Sequence, residues 1–184
     1  MKLRTKDLTL IAVFAALIAV CAWITVPATV PFTMQTFGVF LAAGLLGGKR
    51  GALAVAVYIL LGAAGLPVFA GFRAGIGVLF SSTGGYIIGF LAAALTMWAI
   101  TLRFGDGKRV LSAAMAAGLL VCYAFGTAWF MLVYARSSGP VGLFTALGWC
   151  VFPFVLPDAL KIALALAVCL RLKRLRIAAK MLSE

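Results

Sequence analysis

The stretch VLSAAMAAGLLVCYAFGTAWFMLVY, residues 110–134, contains no charged side chain. It is longer than the roughly 20 apolar residues that an α-helix needs to cross a lipid bilayer. The whole chain has the same character, because 65% of its 184 residues are hydrophobic and only 11% are charged. A water-soluble domain carries about 25% charged residues. The composition therefore excludes an ordinary soluble domain and predicts an integral membrane protein.

Further apolar runs lie on both sides of this stretch, and the chain has room for about six crossings with short loops. Long runs without the alternating pattern of barrel strands favour helices. We predict an all-α, polytopic membrane protein, a six-transmembrane-helix bundle that forms one transmembrane domain over residues 1–184. The predicted helices cover approximately residues 8–26, 32–47, 50–65, 84–102, 110–134 and 144–170.

Residues 67–83, between the third and fourth predicted helices, are apolar enough to enter the membrane but rich in glycine. Irregular backbone at membrane depth is tolerated only where it is buried in protein or lines a cavity. We therefore expect this segment to contribute to a binding site.

The basic residues are distributed unevenly over the predicted loops. The net charge of +12 comes from 16 Lys and Arg against 4 Asp and Glu. Thirteen of the cations fall at the termini and in the second and fourth loops, which share one side: Lys2, Arg4, Lys6, Lys49, Arg50, Arg103, Lys108, Arg109, Arg171, Lys173, Arg174, Arg176 and Lys180. The opposite loops hold only Arg73 and Arg136. This asymmetry predicts that both termini are cytoplasmic, with anionic membrane lipids rather than nucleic acid as the partner of the basic residues.

The sequence lacks the residues that several kinds of metal or catalytic site require. The chain has no His, and its cysteines, Cys21, Cys122, Cys150 and Cys169, all lie inside apolar runs. Zinc and haem sites are therefore not expected. No Walker A motif is present, so any ATP that powers transport must be hydrolysed by separate subunits. An enzyme is not expected, because hydrolysis or phosphoryl transfer usually needs more acid–base groups or a metal.

Asp158 is the one acidic residue within a predicted span, and Lys161 follows it three positions later. A charge inside a span indicates a functional site by default, and residues three apart share a helix face. Either the pair binds a polar ligand, or it is a buried ion pair that locks the last helix to its neighbours. Pro153 and Pro157 free backbone carbonyls in this region or simply kink the helix.

Other candidates lie on the outward side and on the first helix. Arg73 has the planar fork that binds a carboxylate, although a lipid phosphate is an equal alternative. Thr33 and Gln35 are weaker, neutral candidates. Small residues four apart let helices approach closely, so Ala12 with Ala16, or Ala15 with Ala19, either pack internally or dock another membrane subunit.

Four segments together resemble one family. They are VPFTMQT at 30–36, GAAGLPVFAG at 62–71, TGGYIIGF at 83–90 and PDALK at 157–161. In this order they resemble the BioY family, the biotin-specific substrate-binding (S) components of energy-coupling-factor (ECF) transporters. The chain departs from the family at Ser81-Ser82-Thr83, where Gly-Pro-Thr is frequent.

The resemblance implies a six-helix bundle with a biotin site near the extracellular side, capped by the loop at 27–35. It implies that Asp158 and Lys161 help to hold the ligand, and that Arg73, Gly84 and Tyr86 complete the pocket. The Ala face of the first helix would meet a transmembrane coupling subunit, ATPase subunits would supply energy, and no cofactor is expected. The location would be a bacterial or archaeal cytoplasmic membrane.

Biotin suits these side chains. Its ureido ring has two N–H donors and a carbonyl, its sulfur ring is apolar, and its tail ends in a carboxylate. Asp158 can accept a hydrogen bond from a ureido N–H group. Either Lys161 or Arg73 can bind the carboxylate or the ureido carbonyl. The apolar body of biotin can be covered by Tyr86, Phe32 or Trp149. We expect high-affinity biotin binding and uptake. The alternatives are an S component for thiamine or riboflavin, a lipid-modifying membrane enzyme, or a structural subunit without a ligand.

Overall fold

A computed structural model describes residues 4–27 and 30–181, with side chains described up to residue 175. Helices make up most of the described residues, and a two-stranded hairpin lies between the first two helices. In chain order the elements are α1 (Thr5–Trp23), β1 (Thr25–Val26), β2 (Phe32–Thr33), α2 (Gln35–Leu46), α3 (Gly48–Ala63), a 3₁₀ turn (Ala70–Phe72), α4 (Ile76–Leu79), α5 (Gly84–Phe104), α6 (Lys108–Ser138), α7 (Leu143–Cys150) and α8 (Phe152–Met181).

Four helices among the described residues are long and apolar enough to cross a membrane: Thr5–Trp23, Gly84–Phe104, Lys108–Ser138 and Phe152–Leu175. The helix Gln35–Leu46 is also apolar but has only 12 residues, about 18 Å at 1.5 Å per residue. The prediction of a helical, multi-pass membrane protein is confirmed at this level.

Helix α2 occupies the middle of the bundle, where it packs against α1, α3, α5 and α8. Nine of its residues are buried, which explains why this short segment is apolar on all sides. Helices α2 and α3 approach closely because Gly51 has no side chain, and a Cβ there would lie 2.4 Å from the Cα of Ala43. Helices α5 and α6 form the most extensive pair.

The loop at 27–35 contains structure that the all-α prediction missed. Its flanks form an antiparallel hairpin, in which Thr25 pairs with Thr33 and Val26 with Phe32. Helix α2 consequently begins at Gln35 rather than at residue 32. The hairpin is too short to show an alternating hydrophobic pattern, which is the signal that identifies a strand.

The last predicted helix, 144–170, is two helices. The chain breaks at Val151, whose backbone (φ −127°, ψ −57°) is not helical. Pro153 explains the break, because proline has no N–H to continue the hydrogen bonds from α7 and its ring clashes with the preceding turn. Pro157 stays inside α8, and α8 continues beyond residue 170 through a tail of Lys, Arg, Leu and Ala, which are good helix formers.

Two ion pairs lie at one end of the bundle, here called the charged end. Arg50 at the start of α3 contacts Asp7 in the first turn of α1, at 3.2 Å. Lys173 in α8 contacts Asp106 in the α5–α6 connection, at 2.6 Å, and holds the pKa of that carboxyl below its usual value. These contacts gather the start of α1, the α2–α3 and α5–α6 turns and the later part of α8 at the same end.

Candidate ligand cavity

A cavity opens at the other end of the bundle, between the hairpin, the 67–83 segment and helices α5 to α8. The space between its lining atoms, including open solvent at the mouth, amounts to about 660 Å³. Its lining combines apolar side chains with a few polar ones: Val30, Pro31, Thr33, Gln35, Thr36, Ala70, Arg73, Thr83, Tyr86, Ile87, Phe90, Leu119, Cys122, Tyr123, Cys150, Phe154, Asp158 and Lys161.

Asp158 and Lys161 form a buried ion pair in this lining. The Nζ of Lys161 lies 2.8 Å from Oδ1 of Asp158, and the two residues are 5% and 4% exposed respectively. The other carboxylate oxygen, Oδ2, accepts a hydrogen bond from the hydroxyl of Tyr123 in α6 at 2.6 Å. The carboxylate of Asp158 is thereby held between α8 and α6, with its charge balanced by Lys161.

Lys161 also contacts the hairpin. Its Nζ donates to the backbone carbonyl of Thr33 at 2.7 Å and lies 3.9 Å from the centre of the Phe32 ring. Phe32 stacks on Phe154 of α8 at 6.1 Å. The strand β2 is therefore attached to α8 by an ionic group and by an aromatic pair.

Gln35 is held in one orientation by two buried partners. Its Nε2 donates to the hydroxyl of Tyr58 at 2.6 Å, and its Oε1 accepts from Oγ1 of Thr33 at 3.1 Å. Tyr58 is fully buried in α3 with its ring edge-on to Phe69. Both ends of the amide are thus engaged by the protein, and the Gln35 side chain presents a fixed polar surface to the cavity.

Tyr86 of α5 lies flat against α6. Its hydroxyl is 2.9 Å from Oγ1 of Thr127. A Cβ at Gly126 would lie 2.2 Å from Cδ1 of the ring, so the absence of a side chain there lets Tyr86 reach this position. The ring of Tyr86 forms one apolar wall of the cavity.

Arg73 lines the cavity although it is exposed, which places it at the mouth. Its Nε donates to the carbonyl of Ala70 at 3.3 Å, so one of the five N–H donors of the guanidinium is used within this turn. The neighbouring turn at Ser81-Ser82-Thr83, where the resemblance departs from the family pattern, is held by Trp129, whose Nε1 donates to the Ser81 carbonyl at 3.0 Å.

Six of the predicted ligand residues meet in the cavity lining: Asp158, Lys161, Arg73, Tyr86, Gln35 and Thr33. Gly84 is not part of the lining; a Cβ there would lie 1.9 Å from the carbonyl oxygen of Leu79, so glycine allows close packing at the start of α5. Trp149 does not line the cavity either; it is 41% exposed and packs edge-on against Tyr134.

The sequence reasoning missed Tyr123, the hydrogen-bond donor to Asp158, and Tyr58, the partner of Gln35. Both lie inside apolar runs, and a buried Tyr hydroxyl usually finds a polar partner. That rule identifies them as candidates. Cys122 and Cys150, which lie inside apolar runs of the sequence, also line the cavity. Within residues 4–27 and 30–181, no group of three His, Cys, Asp or Glu side chains is arranged to hold a metal ion.

The small residues of α1 separate into two pairs. Ala15 and Ala19 are buried in the bundle, at 2% and 5% exposure, so they pack internally, which is one of the two roles expected for them. Ala12 and Ala16 are exposed and remain available for contact with another protein.

Comparisons with known proteins find similar sequences over almost the whole chain. The sequence model of the BioY family matches residues 1–178. A biotin transporter BioY of Thermotoga maritima is 41% identical over 177 residues, which cover 94% of this chain and 98% of that protein. A probable biotin transporter BioY of Pyrococcus horikoshii is 42% identical and covers 93% and 98% of the two chains.

The fold is also similar to a solved structure. The crystal structure of the S-component for biotin from an ECF-type ABC transporter superposes with a TM-score of 0.82, covering 94% of this chain and 95% of the other at 24% identity. The helical S-component fold predicted from the sequence is thereby confirmed. The match over residues 1–178, together with relatives above 40% identity along almost their whole length, confirms the resemblance seen in the sequence, and the chain belongs to the BioY family.

Proposed function

We propose that this protein is the biotin-binding subunit of an ECF-type importer, a transporter component rather than an enzyme. The observation that carries the proposal is one cavity in which a buried Asp158–Lys161 pair and an exposed Arg73 lie on the same lining. The names of the relatives, which are biotin transporters, support the choice of ligand.

The ligand would lie with its ureido ring deep in the cavity and its tail towards the mouth. Asp158 is buried and accepts hydrogen bonds, so it suits the N–H groups of the ureido ring. Arg73 is at the mouth and suits the carboxylate, which two N–H groups of a guanidinium bind side by side. Tyr86 and Phe90 would cover the apolar sulfur ring between these two ends. This orientation leaves the more hydrated end of biotin near water.

Six membrane crossings in one domain over residues 1–184 would be made by α1, α2, α3, α5, α6 and the pair α7–α8. Helix α2 is shorter than a bilayer and is shielded by its neighbours. The charged end would face the cytoplasm together with both termini, because its loops carry most of the Lys and Arg residues. The cavity would then open outward, in a bacterial or archaeal cytoplasmic membrane.

Energy would come from other subunits. The chain has no Walker A motif, so separate ATPase subunits would hydrolyse ATP and a transmembrane coupling subunit would contact this chain. The exposed pair Ala12 and Ala16 on α1 supports a docking face there, because small residues four apart allow two helices to approach closely. Anionic lipid headgroups would neutralise the basic residues of the charged end.

The test is titration calorimetry of the purified, detergent-solubilised chain with biotin, thiamine and riboflavin. We expect one site for biotin and no measurable heat from the other two vitamins. An absence of biotin binding by protein that is monodisperse and helical would disprove the proposal. Binding of thiamine or riboflavin in place of biotin would reassign the cavity to another vitamin.

A further inference from the structure

The backbone just before Arg73 has an unusual conformation. Phe72 has φ +58°, and it is the one residue other than glycine with a positive φ in the part of the chain that the structure describes. Gly71 before it also has a left-handed backbone, with φ +68° and ψ +30°. A bulky L residue rarely adopts this conformation, because its Cβ crowds the following carbonyl oxygen. Such residues persist where the surroundings hold them, and they cluster at ligand clamps.

Phe72 is held by Trp23, the last residue of α1. The two rings stack with their centres 5.1 Å apart and an angle of 24° between their planes. The indole Nε1 of Trp23 also donates to the carbonyl of Pro67 at 2.9 Å. Trp23 therefore contacts both the start of the 67–73 loop and the residue next to Arg73.

Hydrogen bonds within the 67–73 loop and to α3 hold the remainder of this segment. The N–H of Phe69 donates to the carbonyl of Arg73 at 3.1 Å, which closes the turn between them. The N–H of Gly75 donates to the carbonyl of Gly62 at 2.8 Å, and the Phe69 ring is fully buried. With both ends of the loop fixed, the left-handed pair at 71–72 determines the direction in which Arg73 leaves the turn.

Phe72 and Arg73 are adjacent in the chain, but their side chains lie on different surfaces of the protein. Phe72 is 62% exposed and lies on Trp23, whereas Arg73 lines the cavity. We propose that Phe72 is a positioning residue: its stack on Trp23 holds the turn so that Arg73 stays at the cavity mouth, and the protein thereby selects ligands with a free carboxylate. This inference rests on the proposed binding of biotin.

A simpler role for Phe72 is that of an aromatic anchor at the membrane surface. The two roles differ in what they affect. An anchor would change the stability or the membrane position of the protein and weaken all ligands alike. A positioning residue that acts through Arg73 would affect only ligands that Arg73 contacts.

The experiment compares the dissociation constants of biotin and biotin methyl ester, which lacks the negative charge. The parent is expected to prefer biotin over the ester by about tenfold or more, as for a charge-assisted hydrogen bond. Arg73→Ala should remove this preference. Phe72→Ala should weaken the binding of biotin by at least about fivefold and change the binding of the ester little. Added to Arg73→Ala, it should weaken biotin binding little further. Phe72→Trp, which retains a stacking ring, should restore the preference.

Two further variants complete the design. Ile76→Ala is the matched control, because Ile76 is also 62% exposed and lies only four residues from Phe72; the preference should stay at the parent value. Trp23→Leu removes the stack, together with the hydrogen bond to the Pro67 carbonyl, and keeps the amino acids of the left-handed segment, so it should reproduce Phe72→Ala even if that variant folds poorly. Equal weakening of both ligands, or an unchanged preference in Phe72→Ala and Trp23→Leu, would overturn the inference. A parent that binds no biotin would instead disprove the proposed function.

Discussion

The Nζ of Lys161 donates a hydrogen bond of 2.7 Å to the backbone carbonyl of Thr33, a residue 128 positions earlier in the chain. The same ammonium group bonds to Asp158 and faces the ring of Phe32. Its donors are therefore all directed at protein groups. Lys161 neutralises the buried carboxylate and also attaches the hairpin to α8 over the cavity. A ligand that accepts a hydrogen bond from Lys161 must therefore share this ammonium group with the Thr33 carbonyl or displace that carbonyl.

Lys161→Ala is expected to abolish tight biotin binding and to lower the stability of the protein. The substitution leaves the Asp158 carboxylate buried without its counter-charge, which costs about 3–5 kcal/mol. It also releases the hairpin from α8. Calorimetry with biotin and thermal unfolding in detergent measure the two effects separately.

A double variant distinguishes a ligand site from a purely structural ion pair. Replacing both charges, as in Asp158→Leu with Lys161→Met, removes the unpaired charge and should recover most of the stability lost in Lys161→Ala. Biotin binding should stay lost, because neither polar group remains. Normal biotin affinity in the double variant would mean that the pair serves only to hold the helices together.

Tyr123→Phe should weaken biotin binding by about five- to tenfold, because it leaves the Asp158 carboxylate freer to rotate. It also removes a hydrogen bond to a charged group, which contributes about 1.5–3 kcal/mol to stability, so the protein should fold but melt at a lower temperature. Tyr134→Phe is the matched control, because Tyr134 is on the same helix but outside the cavity lining. An equal loss in both variants would exclude a specific role for the Tyr123 hydroxyl.

The parts of the site that were predictable from the sequence depend on local spacing. Asp158 and Lys161 lie three apart on one helix, so their contact follows from helix geometry alone. The contact of Tyr123 with Asp158 depends instead on how α6 packs against α8. The small residues of α1 show the same limit. The helix is apolar all round, so its sequence pattern did not indicate that Ala15 and Ala19 face the bundle.

The prolines of the last predicted helix indicated only part of its structure. The sequence located an interruption near Pro153 and Pro157, and the structure breaks the helix before Pro153 but keeps Pro157 inside α8. Which proline ends a helix depends on whether its neighbours can compensate for the missing hydrogen bond. That compensation is a property of the packed bundle.

Gly126→Ala is expected to weaken biotin binding by about tenfold or more. The new methyl group would lie within 2.2 Å of the Tyr86 ring, and overpacking of this kind costs about 1–3 kcal/mol unless the ring moves. Movement of Tyr86 would break its hydrogen bond to Thr127 and push the ring into the ligand space. The control is Gly148→Ala, because nothing lies within 4 Å of a Cβ at that position; it should leave binding unchanged.

The two faces of α1 allow binding to be separated from coupling. Ala16→Leu adds bulk on the exposed side of the helix, so purified protein should bind biotin like the parent but fail to co-purify with a coupling subunit, and biotin uptake by cells should fall. Ala15→Leu adds the same bulk at a position that is 2% exposed. It should lower the melting temperature, because a larger side chain in a packed core costs about 1–3 kcal/mol. If Ala16→Leu keeps full uptake and complex formation, the coupling subunit docks elsewhere on the bundle.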